Sequence, residues 1–137
     1  MHGTSAADGV SSHEVHVDVS SVAPAGVTDI VAEVFVPPID VDGVYRSVLF
    51  CFPGGGMSRR YYDLEVPAAT GCYSMARYLA GLGHLTVTVD HVGVGDSSRP
   101  TDGFSLTPQV VADVDAAAVD HLKDLLIGAP AAMAYHQ

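Results

Sequence analysis

The sequence contains little positive charge. Only 6 of its 137 residues are lysine or arginine, against 16 aspartates and glutamates, so the formal net charge is −10. This excess of negative charge repels a phosphate backbone and anionic lipids, which argues against a nucleic-acid or membrane-surface partner. Hydrophobic residues make up 48% of the chain. That share allows a buried core, and the length suits one domain.

Cysteine and long apolar segments are equally scarce. The two cysteines, Cys51 and Cys72, are too few for a disulfide scaffold and do not form a C-x-x-C pair. We interpret them as free thiols in a reducing compartment. No segment approaches the roughly 20 apolar residues that span a bilayer, and the N-terminus does not resemble a secretion signal. The sequence therefore predicts a cytoplasmic protein without a membrane segment.

Alternating residues predict an antiparallel hairpin near the N-terminus. From His13 onward, apolar residues alternate with polar ones, as in a half-buried strand: Val15, Val17 and Val19 against Glu14, His16 and Asp18. A second strand is predicted over residues 30–36. His13 and His16 fall on opposite faces of the first strand, so no metal site is predicted there. Residues 1–12 are small and polar and are expected to be a disordered leader before a domain at 13–137.

Strands and helices alternate over the rest of the chain. The apolar run 48–52 predicts a strand buried on both faces, and residues 85–89 predict another. A helix is predicted over 73–82, ending at Gly83, with a buried face formed by Met75, Leu79 and Leu82. A longer helix begins after the cap Thr107, with a buried stripe formed by Val111, Val114, Ala118, Leu122 and Leu125. The order predicts an α/β fold with a leading hairpin, two further parallel strands and two main helices.

A glycine-rich segment directly follows each predicted parallel strand. The first is Pro53-Gly54-Gly55-Gly56-Met57, and the second runs from Asp90 to Ser97. Glycines let backbone N–H groups point into open space, at the end of the sheet where α/β proteins bind ligands. The first segment therefore suits a negatively charged oxygen, in a tetrahedral oxyanion or a phosphate, the alternative being a plain turn. The second opens no helix and so lacks the context of a dinucleotide fingerprint.

In this order, the elements resemble the N-terminal half of the α/β-hydrolase superfamily over residues 13–126. That family carries an H-G-x or H-G-G-G loop after its third strand and commonly D-x-x-G-x-G-x-S after its fourth. The first pattern departs at Pro53, where histidine is usual, and the second matches fully at Asp90, Gly93, Gly95 and Ser97. The resemblance implies an oxyanion hole at Gly55 and Gly56. The supporting loop residues it implies are Gly54, Met57, Asp90, Gly93, Gly95 and Ser97.

The family's nucleophile motif, G-x-S-x-G, does not occur in the 137 residues. The catalytic acid and histidine follow the nucleophile in that family, so no triad residue is assigned here. The resemblance implies the N-terminal portion of an esterase- or lipase-like serine hydrolase that needs no cofactor and is inactive alone. Its full-length substrate would be a small ester-like molecule. Candidate pocket residues, which a solvated surface pair or core packing would equally explain, are Arg59, Arg60, Tyr61 and Tyr62.

Two alternatives remain open. A non-enzymatic module could use the first glycine-rich segment, residues 53–57 (the glycine loop), to hold a small ligand or a partner. It could also self-associate through an open sheet edge. A phosphate-ligand enzyme could combine Gly54–Gly56 with Arg59 and Arg60.

Overall fold

Four strands form one mixed sheet in the spatial order β1-β2-β4-β3. The structure, a computed structural model, describes residues 9–38, 45–68 and 73–128. The strands are β1 (Ser11–Asp18), β2 (Asp29–Val36), β3 (Ser47–Cys51) and β4 (His84–Val89). β2 pairs antiparallel with β1 and with β4, whereas β3 and β4 are parallel. The predicted α/β fold, with its leading hairpin and parallel pair, is confirmed.

Two helices cover opposite faces of this sheet. α1 (Met75–Gly81) connects β3 to β4, and α2 (Pro108–Gly128) follows β4. Two short 3-10 helices, Arg59–Tyr62 and Gly103–Ser105, lie in the connections. Neighbouring residues of a strand point to opposite faces, and Phe35 packs with α1 whereas Val34 belongs to the cluster that includes α2. No helix among the described residues is long and apolar enough to cross a membrane.

The larger core lies between the sheet and α2. Four fully buried α2 side chains repeat at intervals of four residues: Val114, Ala118, Leu122 and Leu126. Leu125 is 44% exposed, so its predicted place in the stripe is wrong, and Leu126 occupies it because it lies one turn beyond Leu122. The predicted cap is confirmed, since Thr107 Oγ1 accepts a hydrogen bond from the N–H of Val110 at 3.2 Å.

A smaller core lies under α1. Its buried helix residues are Ala76 and Ala80, which pack with Phe35. Small side chains allow the helix to approach the sheet closely, so the predicted burial of Met75 and Leu82 is wrong; both are exposed. Gly83 ends the helix as predicted, with a φ of +100° that favours glycine.

Two further expectations are corrected at the sheet margins. Every residue of β3 is only half-buried, because β3 is an edge strand and not the strand buried on both faces that its composition indicated. β1 begins at Ser11, so the last two residues of the expected leader belong to the hairpin. Residues 1–8 lie outside the described residues, as does Cys72. Cys51 is a free thiol whose pKa is raised by burial.

Candidate functional site

The structure brings the two glycine-rich segments together at the carboxyl ends of β3 and β4. β3 and β4 run parallel, so the chain leaves both strands on the same side. Nε2 of His91, after β4, lies 2.8 Å from the carbonyl oxygen of Pro53, after β3. The rings of Phe52 and His91 also pack with their centroids 5.5 Å apart. The two segments therefore form one surface.

The glycine loop carries backbone N–H groups that have no acceptor among the described residues. Its turn is closed by a hydrogen bond from the N–H of Met57 to the carbonyl oxygen of Gly54 (3.1 Å), and Gly56 has a φ of +79°. A Cβ placed on Gly55 or Gly56 would meet no atom within 4 Å. Among the described residues, none accepts a hydrogen bond from the N–H of either glycine. The loop can thus offer two N–H groups to an anionic oxygen.

Asp90 lies fully buried beneath the two segments. Its Oδ1 accepts a hydrogen bond from the N–H of Arg59 at 2.6 Å, and its Oδ2 accepts one from the N–H of Asp96 at 3.0 Å. The Arg59 guanidinium also binds Oδ2. A buried carboxylate requires such donors and a cation. Asp90 therefore connects the segment after the glycine loop, through Arg59, to the segment after β4.

The other residues of the D-x-x-G-x-G-x-S pattern shape the loop around Asp90. A Cβ on Gly95, whose φ is +57°, would overlap the Asp90 carboxylate. Gly93 has a φ of +78° and lies against Leu106. Ser97 is buried, and its Oγ donates to the Asp90 carbonyl oxygen (2.7 Å) and accepts from the N–H of Val31 (2.9 Å). These contacts give the pattern a structural role.

Arg59 is committed to carboxylates. Its side chain is only 7% exposed and, besides Asp90, contacts three others: Asp96 at 2.8 Å, Glu14 at 3.0 Å and Glu33 at 3.6 Å. Burial acts to lower the pKa of Arg59, but the hydrogen bonds to Asp96 and Asp90 outweigh it and hold that pKa above its ordinary value. Arg59 is therefore neither a solvated residue nor a free cation for a substrate. Arg60 is exposed and, in the described part of the chain, has no ion pair.

The two tyrosines differ in their surroundings. The hydroxyl of Tyr62 donates to the carbonyl oxygen of Phe52 at 2.7 Å, and its ring packs against the core that contains Phe35. Tyr61 is exposed, with its ring edge-on to Tyr62. A cavity of about 460 Å³ lies beside this segment, and its lining includes Arg59 and Arg60 but neither tyrosine. Tyr62 therefore supports the Phe52 end of the glycine loop.

Asp115 is a site residue that the sequence interpretation did not single out. Its Oδ2 lies 2.8 Å from Nδ1 of His91, and the two side chains are 18% and 17% exposed. Its Oδ1 is buried and has no hydrogen-bond partner among the described residues, and burial raises the pKa of its carboxyl. The helical spacing contained the signal, because Asp115 lies four residues after Val111 and three before Ala118, on the inner side of α2.

Comparison with protein-family models and with curated proteins gives no match for this chain. Within residues 9–38, 45–68 and 73–128, no group of three or more histidine, cysteine, aspartate or glutamate side chains could hold a metal ion.

Proposed function

We propose that this chain is the N-terminal portion of a cytoplasmic serine α/β-hydrolase that cleaves carboxylic esters without a cofactor. Its part in the reaction is to supply oxyanion-hole N–H groups from the glycine loop. The observation that carries this proposal is that, among the described residues, nothing accepts a hydrogen bond from the N–H of Gly55 or Gly56, at the carboxyl end of β3. The D-x-x-G-x-G-x-S segment contacts the start of the same loop at Pro53, in the order that the α/β-hydrolase resemblance requires.

The N–H dipoles of the loop, and not a net positive charge, would hold a negative ligand. The Arg59 guanidinium is shared among four carboxylates, of which Asp90 is the fully buried one, so it lends the loop no surplus positive charge. Hydrogen bonds from the loop N–H groups are therefore what would stabilise the anionic oxygen. In a complete enzyme, one such donor contributes about 10²–10³ in rate, or ~3–4 kcal/mol.

The chain is inactive alone under this proposal. The 137 residues contain no G-x-S-x-G nucleophile motif. Ser97 is buried with its hydroxyl in two hydrogen bonds, and both ring nitrogens of His91 face acceptors. A nucleophile, its base and its acid are therefore supplied from outside these residues. A serine-directed fluorophosphonate is expected to leave the purified chain unlabelled by mass spectrometry, and a covalent adduct on any serine would contradict this.

Anion binding tests the role of the glycine loop. Titration calorimetry with methylphosphonate, a tetrahedral anion, is expected to show weak binding in the millimolar range by the wild type. Gly55→Pro removes one N–H donor, whereas Gly55→Ala keeps it and places its methyl group in open space. Loss of binding in Gly55→Pro with retention in Gly55→Ala is the expected result. Equal binding by both variants would overturn the proposal.

Self-association through β3 is a second candidate function. In the described part of the chain, only β4 pairs with β3. The strand contains no charged residue and no proline, which are the residues that commonly prevent an outer edge from pairing with another chain. A second copy of the chain can pair with this edge. When two β3 strands pair antiparallel about Leu49, no charged residue of one strand lies opposite a charged residue of the other. Sedimentation analysis is expected to show a dimer that Leu49→Lys weakens by placing two lysines opposite each other. A wild-type monomer at all concentrations would exclude this function.

A further inference from the structure

Two consecutive residues after β4 bind the chain at the two ends of the glycine loop. At the far end, just after the loop, Oδ1 of Asp90 accepts the hydrogen bond from the N–H of Arg59. At the near end, Nε2 of His91 donates to the carbonyl oxygen of Pro53, and Nδ1 of His91 faces Oδ2 of Asp115. We propose that His91 is a positioning residue for the glycine loop, and that Asp115 determines which ring nitrogen carries its proton.

The acceptors around His91 fix its hydrogens. A backbone carbonyl oxygen can only accept, so the bond to Pro53 requires a hydrogen on Nε2. The contact with Asp115 requires a second hydrogen between Nδ1 and the carboxylate. The His91–Asp115 pair must therefore hold two protons for both bonds to exist. With one proton left, either Pro53 or Asp115 faces a bare nitrogen lone pair.

The pair loses its bond to Pro53 first. A hydrogen bond between an imidazole N–H and a carboxylate is charge-assisted and is stronger than one to a neutral carbonyl. After the pair gives up one proton, the remaining proton stays on Nδ1 beside Asp115, and Nε2 no longer donates to Pro53. The near end of the loop is then released as pH rises, while Arg59 and Asp90 still hold the far end.

Among the described residues, Asp115 is the one charged side chain that pairs with His91. From the segment after β3, it meets the Phe52 ring and the Pro53 carbonyl oxygen; from α2, it meets Asp115. Its neighbour Asp90 is occupied by Arg59 and Asp96. Within the described residues, the response to pH therefore belongs to the His91–Asp115 pair.

The value of this positioning for catalysis rests on the proposed function, but the contact itself can be tested without it. The carbonyl carbon of Pro53 reports hydrogen bonding at its oxygen through its ¹³C chemical shift. In the wild type, this shift is expected to move in one step as pH rises and the His91–Asp115 pair gives up one proton. An unchanged Pro53 shift across that loss would overturn the proposal.

Two variants separate positioning from a merely structural role. In Asp115→Asn, the side-chain amide can donate to Nδ1, which keeps the last ring proton on Nε2 and the bond to Pro53 intact. The Pro53 step is therefore expected to disappear in Asp115→Asn, and its persistence would overturn the proposal. In His91→Gln, the amide donates to Pro53 at every pH, so no step is expected. A step at Pro53 without methylphosphonate binding would reject only the oxyanion role.

Discussion

The backbone N–H of Arg59 donates to Oδ1 of Asp90 across 2.6 Å, while the guanidinium of the same residue binds the other carboxylate oxygen. The segment that follows the glycine loop is thereby tied to the end of β4 at a fully buried charge. The buried Asp90 carboxylate, paired with this guanidinium, therefore holds the segment after the loop in place.

Removal of the Asp90 carboxylate should lower the stability of the fold strongly. Asp90→Ala removes the buried partner of the Arg59 guanidinium and leaves two N–H groups without their acceptor, so the free energy of unfolding should fall by about 3–5 kcal/mol. Urea denaturation measures the loss. The control is Asp96→Ala, because Asp96 binds the same guanidinium with a side chain that is 52% exposed, and its removal should cost far less. Equal losses would show that burial of Asp90 does not matter.

A methyl group at Gly95 should disturb the same centre. Its Cβ would overlap the Asp90 carboxylate at a positive φ, so Gly95→Ala should lower the free energy of unfolding by about 2 kcal/mol or more. At Gly103 a Cβ meets no atom within 4 Å, so Gly103→Ala should change stability by ~0.5 kcal/mol or less. Thermal denaturation of both variants checks this, and a neutral Gly95→Ala would contradict the packing of the loop on Asp90.

The inner face of α2 can be tested with neighbouring leucines. Leu122→Ala removes a fully buried side chain and should cost about 2–5 kcal/mol. Leu125→Ala changes a largely exposed side chain and should cost far less, ~0.5 kcal/mol. Chemical denaturation distinguishes the two, and a larger loss at Leu125 would restore the stripe that the sequence pattern favoured.

Periodicity predicted which elements form but not always which side of each is buried. The hairpin, the parallel pair and both helices follow from alternation, apolar runs and caps, all of which are local signals. Met75 and Leu82 were assigned to the wrong side because alanine gives a weak hydrophobic signal, although Ala76 and Ala80 allow the closer approach to the sheet. The edge position of β3 depends on strand order, which no single segment encodes.

The candidate site was predictable in its backbone and not in its side chains. The glycines mark where the chain turns, and their spacing predicts both loops. The partners of Arg59 come from β1, β2 and the segment after β4, so only the folded sheet brings Glu14, Glu33 and Asp90 around one guanidinium. The contact between His91 and Asp115 likewise joins a loop to a distant helix.

His16 should titrate above the ordinary range of histidine. Hydrogen bonds to Asp29 and then to Glu14 raise the pKa of His16 above 6.5, and the bond to His16 lowers the pKa of Asp29. The stabilisation from His16 is therefore complete below the unfolded-state pKa and is lost as pH rises through the higher folded-state pKa. Because His16 is largely exposed, it contributes ~1 kcal/mol at most.

Proton NMR of the His16 ring measures this pKa. Asp29→Asn removes the larger cause and should lower the pKa of His16 more than Glu14→Gln does. The reverse order, or a wild-type value at or below 6.5, would contradict the arrangement of these side chains.

The most direct test of the oxyanion role is the amide NMR spectrum of the wild-type chain titrated with methylphosphonate. The Gly55 and Gly56 N–H signals should move together and saturate in the millimolar range, while the signal of Gly103, an exposed glycine outside this loop, should stay in place. Unmoved Gly55 and Gly56 signals, or an equal shift at Gly103, would contradict the assignment of the glycine loop as an oxyanion site.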